Sequence, residues 1–259
     1  MFRKIIEIQK FFFHIIRRSK YLYSKVYKTK LSFKFNNFQS IKRNYSQAMQ
    51  DIFVLSATNG KKNGTYLEIG GFDGKLLSNT YLLEKEFNWY GIAVENIKQR
   101  TDKYNKLRKN ICINADALEI DYVSLLKNNR FPKNIDYLQI DIDPFGNSEK
   151  CLYKIPFDEY TFSTITFETD LYRNSKNLDS IEKTRDYLTS KGYILVLKNI
   201  STFGNMFEDW YVHKSMKNMD WKLPEKKIND AFDLFITDTN RIYSVMNLIY
   251  LTLITKILR

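Results

Sequence analysis

The stretch TYLEIGGFDGKLLSNTYLLEKEFNWYGIAVEN, Thr65 to Asn96, sets an apolar run carrying Glu68 and a glycine-rich turn against a second apolar run that ends at Glu95. Between the runs, Leu77 to Phe87 has helical spacing. Strand, turn, helix and strand in that order form one βαβ unit. The same alternation continues downstream. Candidate strands are Thr65 to Ile69, Tyr90 to Val94, Ile111 to Asn114, Asp136 to Ile140, Ser163 to Phe167 and Tyr193 to Lys198. Helix-like stretches fall at Leu77 to Phe87, Lys98 to Lys109, Tyr122 to Asn128, Glu149 to Lys154 and Leu178 to Ser190. The strands are apolar throughout instead of alternating, as required when helices cover both faces of a parallel sheet. The expectation is therefore a doubly wound, mostly parallel α/β sheet in one domain spanning residues 45–225.

In an open parallel sheet, ligands sit beyond the carboxyl ends of the strands. The residues found there are Glu68, Gly70, Gly71, Asp73 and Gly74, then Glu95, then Asp116, then Asp141 and Asp143, then Glu168 and Asp170. Carboxylates dominate. A dinucleotide fold places G-x-G-x-x-G at the first turn so that backbone N–H groups approach a pyrophosphate, and a phosphate-binding loop needs G-x-x-x-x-G-K-[ST]. EIGGFDG, Glu68 to Gly74, has neither spacing, and Asp73 would repel a pyrophosphate. A cofactor without phosphate, bearing a ribose, an adenine and a cationic amino-acid part, suits this acid set better. S-adenosylmethionine is such a molecule. The glycines would admit its amino-acid part, Glu95 would accept from both ribose hydroxyls, Asp116 from the adenine amino group, and Glu68 and Asp141 would face the cationic end. An acid at a strand end also serves simply as a solvated loop residue or a helix N-cap, and Asp73 fits that role equally.

The formal net charge of +12 suggests nucleic acid until it is located. Residues 1–45 hold twelve Lys and Arg against the single acid Glu7, whereas the remaining residues hold 29 basic and 28 acidic side chains. A neutral body without a basic face is a poor candidate for reading a nucleic-acid duplex, although the basic arm could still hold phosphates nonspecifically. The basic segment, taken as an N-terminal extension over residues 1–44, carries Ile5, Ile8, Phe12 and Ile15 at helical spacing. Two readings stand: an amphipathic helix on an anionic membrane surface, or a helix packed on the domain. The C-terminal extension, residues 226–259, is uncharged from Ile242 to Thr255, 14 residues against the roughly 20 that a membrane span needs. Cys112 and Cys151 lie in apolar or helix-like segments with no CxxC spacing, and the histidines are His14 and His213. Reduced structural thiols, no zinc site and a cytoplasmic setting are expected, with peripheral membrane contact left open by the two ends.

Four segments together resemble the FkbM-type methyltransferases: YSQAMQDIFVL (Tyr45 to Leu55), GTYLEIGGFDGKLLSNTYLLEKEFNWYGIAVEN (Gly64 to Asn96), IDYLQIDID (Ile135 to Asp143) and TITFETD (Thr164 to Asp170). FEDWYV, Phe207 to Val212, is similar to a late motif of one branch of that family. The resemblance covers roughly residues 45 to 215. It implies a Rossmann-like class I fold with a seven-stranded sheet whose last strand is antiparallel, and S-adenosylmethionine-dependent O-methylation of a sugar or glycoconjugate hydroxyl. It also implies cofactor contacts at Glu68, Gly70, Asp73, Gly74, Glu95, Asp116 and Asp141, with Ser78, Asn79 and Thr80 near the same pocket.

One departure bears on chemistry. Relatives often carry a histidine after the fifth-strand glutamate, whereas this chain has Glu168-Thr169. An alcohol must lose its proton as it is methylated, and candidates for the base are Asp141, Asp143, Glu168 and, more remotely, His213. Asp141, Asp143 and Glu168 also form a set that a hard divalent ion would accept, although a metal is not the favoured reading. Trp89, Trp210, Tyr211 and Trp221 are either sugar-stacking residues or core. The competing functions are an NAD-dependent sugar oxidoreductase or epimerase, and a catalytically inactive, membrane-associated protein that keeps only the fold.

Overall fold

A computed structural model of the chain describes residues 35–38, 41, 44–173, 178–202 and 205–216. The amphipathic N-terminal helix, the C-terminal apolar run and Trp221 lie outside the described residues. Phe35 and Ile41, assigned from sequence to the N-terminal extension, are buried in the domain core.

Seven strands form one sheet: β1 (Thr65–Ile69), β2 (Tyr90–Glu95), β3 (Ile111–Asn114), β4 (Asn134–Ile140), β5 (Thr161–Glu168), β6 (Tyr193–Thr202) and β7 (Asn205–His213). Their spatial order is β3-β2-β1-β4-β5-β7-β6. β1 to β5 pair in parallel, and β7 runs antiparallel between β5 and β6. This is the doubly wound, mostly parallel sheet of the class I methyltransferase fold.

Helices α1 (Gln50–Ala57), α2 (Tyr81–Phe87), α3 (Lys98–Leu107), α4 (Tyr122–Asn128), α5 (Asn147–Leu152) and α6 (Leu178–Ser190) cover the two faces. Strand alternation divides the core between them. Tyr66, Tyr137, Trp210 and Val212 point to one face, where α1 and α2 contribute Phe53, Leu82, Leu83 and Phe87. Leu67, Ile69, Leu138, Ile140 and Tyr211 point to the other, against Tyr122, Leu126, Cys151 and Leu188 of α4, α5 and α6. In α6 the buried residues Ile181, Thr184, Arg185 and Leu188 recur at the three- and four-residue spacing of a single helical stripe. Trp89, Trp210 and Tyr211 are core residues, so none of them is a sugar platform.

Two elements differ from the sequence reading. The helix expected from Leu77 starts only at Tyr81, because Leu77 takes a left-handed backbone (φ 58°) and Ser78 Oγ accepts the Tyr81 N–H at 3.1 Å. β7 was absent from the residue-level strand reading because Glu208 and Asp209 interrupt its apolar pattern. Both acids are fully buried and paired: Glu208 Oε2 accepts from Gln50 Nε2 (3.0 Å) and Trp210 Nε1 (2.6 Å), and Asp209 accepts from Arg185 Nε (2.7 Å). Among the described residues, no helix is long and apolar enough to cross a membrane.

The chain enters the sheet at β1, builds outward through β2 and β3, then returns to place β4 on the other side of β1. That reversal opens a crevice above the carboxyl ends of β1 and β4. The two loops meet there closely. Gly70 has φ 95°, and a Cβ on it would lie 1.9 Å from the Asp141 carbonyl oxygen, so only glycine fits.

Candidate functional site

A cavity of about 850 Å³ occupies this crevice. Of the residues expected at the site, Glu68, Gly70, Gly71, Ser78, Asn79, Glu95, Asp116, Asp141, Asp143 and Glu168 line it, whereas Asp73, Gly74 and Thr80 do not.

The three outside are structural. Asp73 Oδ1 accepts the Leu76 N–H at 3.0 Å, and its carboxylate pairs with Lys103. Against partial burial, these partners hold the carboxyl below its ordinary value. Asp73 thus closes the turn and does not line the cavity. Gly74 (φ 77°) admits α3, since a Cβ there would come within 2.8 Å of Tyr104 Cα. Thr80 is fully buried, and its hydroxyl donates to Glu68 Oε2 at 2.7 Å while accepting from Arg108 Nη2 at 3.1 Å.

Glu68 therefore rests on a buried polar layer. Tyr104 also donates to its Oε2, at 3.1 Å. Behind these sits Arg108, with no exposed side-chain surface. It donates to Glu84 (2.5 Å), the Gly74 carbonyl (3.0 Å), Ser78 Oγ (3.3 Å) and Tyr66 (2.9 Å). Burial raises Glu68 to about 7, with Arg108, Thr80 and Tyr104 opposing the rise. A carboxyl so poised ionises readily when a cation arrives.

Glu95 ends β2 with both oxygens directed by the backbone: Oε2 accepts from Phe72 N (3.0 Å) and Oε1 from Ile97 N (2.9 Å). Each oxygen retains capacity for a further donor, as two adjacent ribose hydroxyls require. Arg100 approaches Oε2 only to 4.0 Å and lies over the Phe72 ring, 4.6 Å from its centroid. Asp116 is exposed, and its Oδ1 caps the short 3₁₀ turn Ala117–Glu119 through Leu118 N (2.8 Å). It combines the bland N-cap role with a place on the cavity wall.

At the β4 and β5 ends, Asp141 and Glu168 bring their carboxyl groups into hydrogen-bonding contact, and Ser148 Oγ donates to Glu168 Oε2 at 3.2 Å. Burial first, then the Asp141 charge, raise Glu168 far above its ordinary value. Asp141 is also raised by burial, while its hydrogen bond with Glu168 works the other way. Burial and their mutual contact thus favour the protonated form in this pair. Asp141 and Asp143 both lie past the end of β4, so strand parity does not separate them. Their surroundings do: the Asp143 side chain is 76% exposed and ion-paired with Arg173 at 2.5 Å. Asp141 instead stands on the cavity wall in contact with Glu168. His213 lies off the cavity, its Nδ1 in contact with Ser215 Oγ at 2.8 Å. Among the described residues no group of three or more His, Cys, Asp or Glu is arranged to hold a metal ion.

Sequence reasoning missed Gln47, Gln50, Gln139, Arg100, Phe145, Tyr172 and Arg173, all on the cavity wall. Gln139 carried a usable signal, a polar residue inside the apolar run YLQI. Its Oε1 and Asn79 Oδ1 are buried acceptors with no donor. Asn79 adjoins the Thr80–Glu68 hydrogen bond, so the β1 side of the cavity offers a negative charge and an unfilled acceptor together. Those residues fit the ammonium of S-adenosylmethionine, and Glu95 fits its ribose.

No family model and no curated protein matches the chain. Solved structures do overlap it. A TehB-like SAM-dependent methyltransferase from Corynebacterium glutamicum is 11% identical, with a TM-score of 0.44 over 69% of this chain and 93% of that one. An O-methyltransferase from Bacillus cereus in complex with SAH is 15% identical, with a TM-score of 0.47 over 64% and 79%. Fibrillarin from Aeropyrum pernix with natively bound S-adenosyl-L-methionine is 11% identical, with a TM-score of 0.38 over 59% and 67%. These structural neighbours are SAM-dependent methyltransferases, and overlaps of this depth carry no weight on the substrate.

Proposed function

We propose that the protein is an S-adenosylmethionine-dependent O-methyltransferase acting on a hydroxyl of a sugar or glycoconjugate. The observation that carries this is the acid-lined crevice at the switch point. There Glu95 presents two backbone-aligned oxygens at one end, and Glu68 with the unfilled Asn79 Oδ1 presents a cation site at the other. Nothing in the first turn favours a pyrophosphate. The helix after β1 begins only at Tyr81, so its N-terminus does not meet the glycine turn as a dinucleotide site requires.

When bound, S-adenosylmethionine supplies an activated methyl group and leaves as a neutral sulfide, so the residues have only the acceptor proton to remove. Glu95 holds the ribose hydroxyls. Glu68 and Asn79 accept from the ammonium, and the layer of Thr80, Tyr104 and Arg108 keeps Glu68 aimed at the cavity. Asp141 accepts the proton of the acceptor hydroxyl as general base, and Glu168 holds Asp141 in place by its hydrogen bond to it. Arg173 draws Asp143 away from that role. Phe145 and Tyr172, both exposed at the rim, offer faces for the apolar side of a pyranose ring.

The test is transfer of label from methyl-labelled S-adenosylmethionine to fractionated glycans from the source. Label should enter a base-stable ether, and Asp141→Asn should lower kcat by about 100-fold or more. Saturable binding of NAD with none of S-adenosylmethionine would reverse the assignment in favour of an oxidoreductase.

A further inference from the structure

Glu95 is held from two directions. Its Oε1 accepts the N–H of Ile97, two residues along its own segment, at 2.9 Å, whereas its Oε2 accepts the N–H of Phe72, 23 residues away in the glycine turn after β1, at 3.0 Å. A carboxylate caught at one oxygen can still rotate. Caught at both, it keeps its remaining lone pairs fixed toward the cavity that it lines. The Phe72 contact therefore decides where the second oxygen stands.

That contact rests on a strained backbone. Phe72 has φ 47°, and among the described residues it is the one aromatic side chain in the left-handed region. Glycine takes this conformation freely, but a bulky residue stays there only when its surroundings hold it. The flanking chain is pinned: the Gly71 N–H donates to the Val94 carbonyl at 3.0 Å, and the Gly74 N–H donates to the Gly71 carbonyl at 3.2 Å. Relaxation at Phe72 would thus turn the Gly71–Phe72 peptide and carry its N–H away from Glu95. The ring is 37% exposed on the cavity wall, so core packing supplies only part of the hold. Arg100 of α3 supplies more. Its guanidinium lies 4.6 Å from the ring centroid, while it stands 4.0 Å from Glu95 Oε2, beyond hydrogen-bond reach. A cation over an aromatic face and a left-handed backbone at a bulky residue are energies of the same order, so loss of the stack is felt in the turn.

We propose that Arg100 is a positioning residue that acts through Phe72. Stacked on the ring, it keeps the strained turn in place, and the turn fixes Glu95 Oε2 for one hydroxyl of the cofactor ribose. The inference rests on the S-adenosylmethionine reading above.

The test is isothermal titration of the full chain with S-adenosylhomocysteine and with its 2′-deoxy and 3′-deoxy forms. The proteins are the wild type, Arg100→Ala, Arg100→Lys and Phe72→Leu, with melts of each as a check on folding. The Arg100 side chain is 42% exposed, so Arg100→Ala should melt close to the wild type. The wild type should bind at least one deoxy form about tenfold more weakly than S-adenosylhomocysteine. Arg100→Ala should bind S-adenosylhomocysteine about fivefold more weakly and leave affinity for that deoxy form unchanged, so that discrimination falls to about twofold. Phe72→Leu, which retains the Arg100 charge, should lose discrimination to the same extent. Arg100→Lys keeps a cation without the planar stack and should fall between wild type and Arg100→Ala. Wild-type discrimination in Arg100→Ala overturns the inference. So does wild-type discrimination in Phe72→Leu, which would mean that the Arg100 charge acts on Glu95 directly. A wild type that binds no S-adenosylhomocysteine, or that binds both deoxy forms as tightly as the parent, overturns the ribose reading first and this inference with it. A wild type that discriminates beside an Arg100→Ala that discriminates equally overturns this inference alone.

Discussion

Replacing Arg108 by Met removes the cation at the centre of the buried layer under the cavity. Its guanidinium is within 2.5 Å of Glu84 and also serves Tyr66, Thr80, Ser78 and the Gly74 carbonyl, with no side-chain surface exposed. The loss leaves Glu84, whose side chain is 4% exposed, with the partly exposed Lys85, at 3.2 Å, as its remaining ion partner among the described residues. Breaking one side of a buried pair costs about 3–5 kcal/mol. For a domain of this size each kcal/mol lowers Tm by about 2–4 °C, so the expected drop is about 6–20 °C. Arg108→Lys keeps the charge but loses the planar fork, and should fall between wild type and Arg108→Met. The pH dependence has a definite sign. Although burial opposes it, Arg108 and the Lys109 N–H hold Glu84 below its ordinary 4.5. The stabilisation is therefore present above 4.5 and is lost as pH falls through the depressed folded value. The Tm gap between wild type and Arg108→Met should narrow in that acidic window. Circular dichroism melts of the three proteins from pH 3 to 8 make the measurement. A drop under about 2 °C at pH 7 would refute the placement of Arg108 as the buried counter-ion.

Two further expectations follow from residues that the fold reassigns. Asp73→Ala should cost about 1 kcal/mol of stability, through the lost Leu76 hydrogen bond, and leave S-adenosylmethionine affinity within about threefold; a tenfold weaker affinity by calorimetry would return Asp73 to the cavity. Glu208 is raised by burial from 4.5 to about 8, so its stabilising contribution is full below 4.5 and disappears as pH rises through 8. Glu208→Gln should accordingly raise Tm relative to wild type by about 10 °C more at pH 8.5 than at pH 5, and an equal difference at both values would contradict a buried, easily neutralised carboxyl.

Much of the architecture was legible because the first five strands are short apolar runs separated by helices, and the strand ends of a parallel sheet fall where their last apolar residues fall. Thr65–Ile69, Ile111–Asn114 and Tyr122–Asn128 match the expected bounds. β7 was hidden because two acids inside it are paired with partners 24 and 158 residues away, Arg185 and Gln50, and no local pattern encodes such pairs. Four carboxylates of the candidate cavity, Glu68, Glu95, Asp141 and Glu168, were legible, since a carboxylate in or just past an apolar run is a local feature. Asp73 differs: sequence position puts it in the glycine turn, and its side chain turns to Leu76 and Lys103. Gln50 and Arg173 reach the cavity only through packing of α1 and of the loop after β5. The Asp141–Glu168 contact likewise depends on register between two strands, so only the sheet itself reveals it.

The central claim is that the crevice binds S-adenosylmethionine with Glu95 on the ribose. Isothermal titration of the full chain with S-adenosylmethionine tests it, with Glu95→Gln and Glu95→Ala alongside and melts of each as a check on folding. Saturable binding in the micromolar range is expected for the wild type, about tenfold weaker binding for Glu95→Gln, and weaker binding still for Glu95→Ala, because hydrogen bonds to a charged acceptor contribute about 1.5–3 kcal/mol each. No saturable binding by the wild type, or unchanged affinity in folded Glu95→Ala, would contradict it.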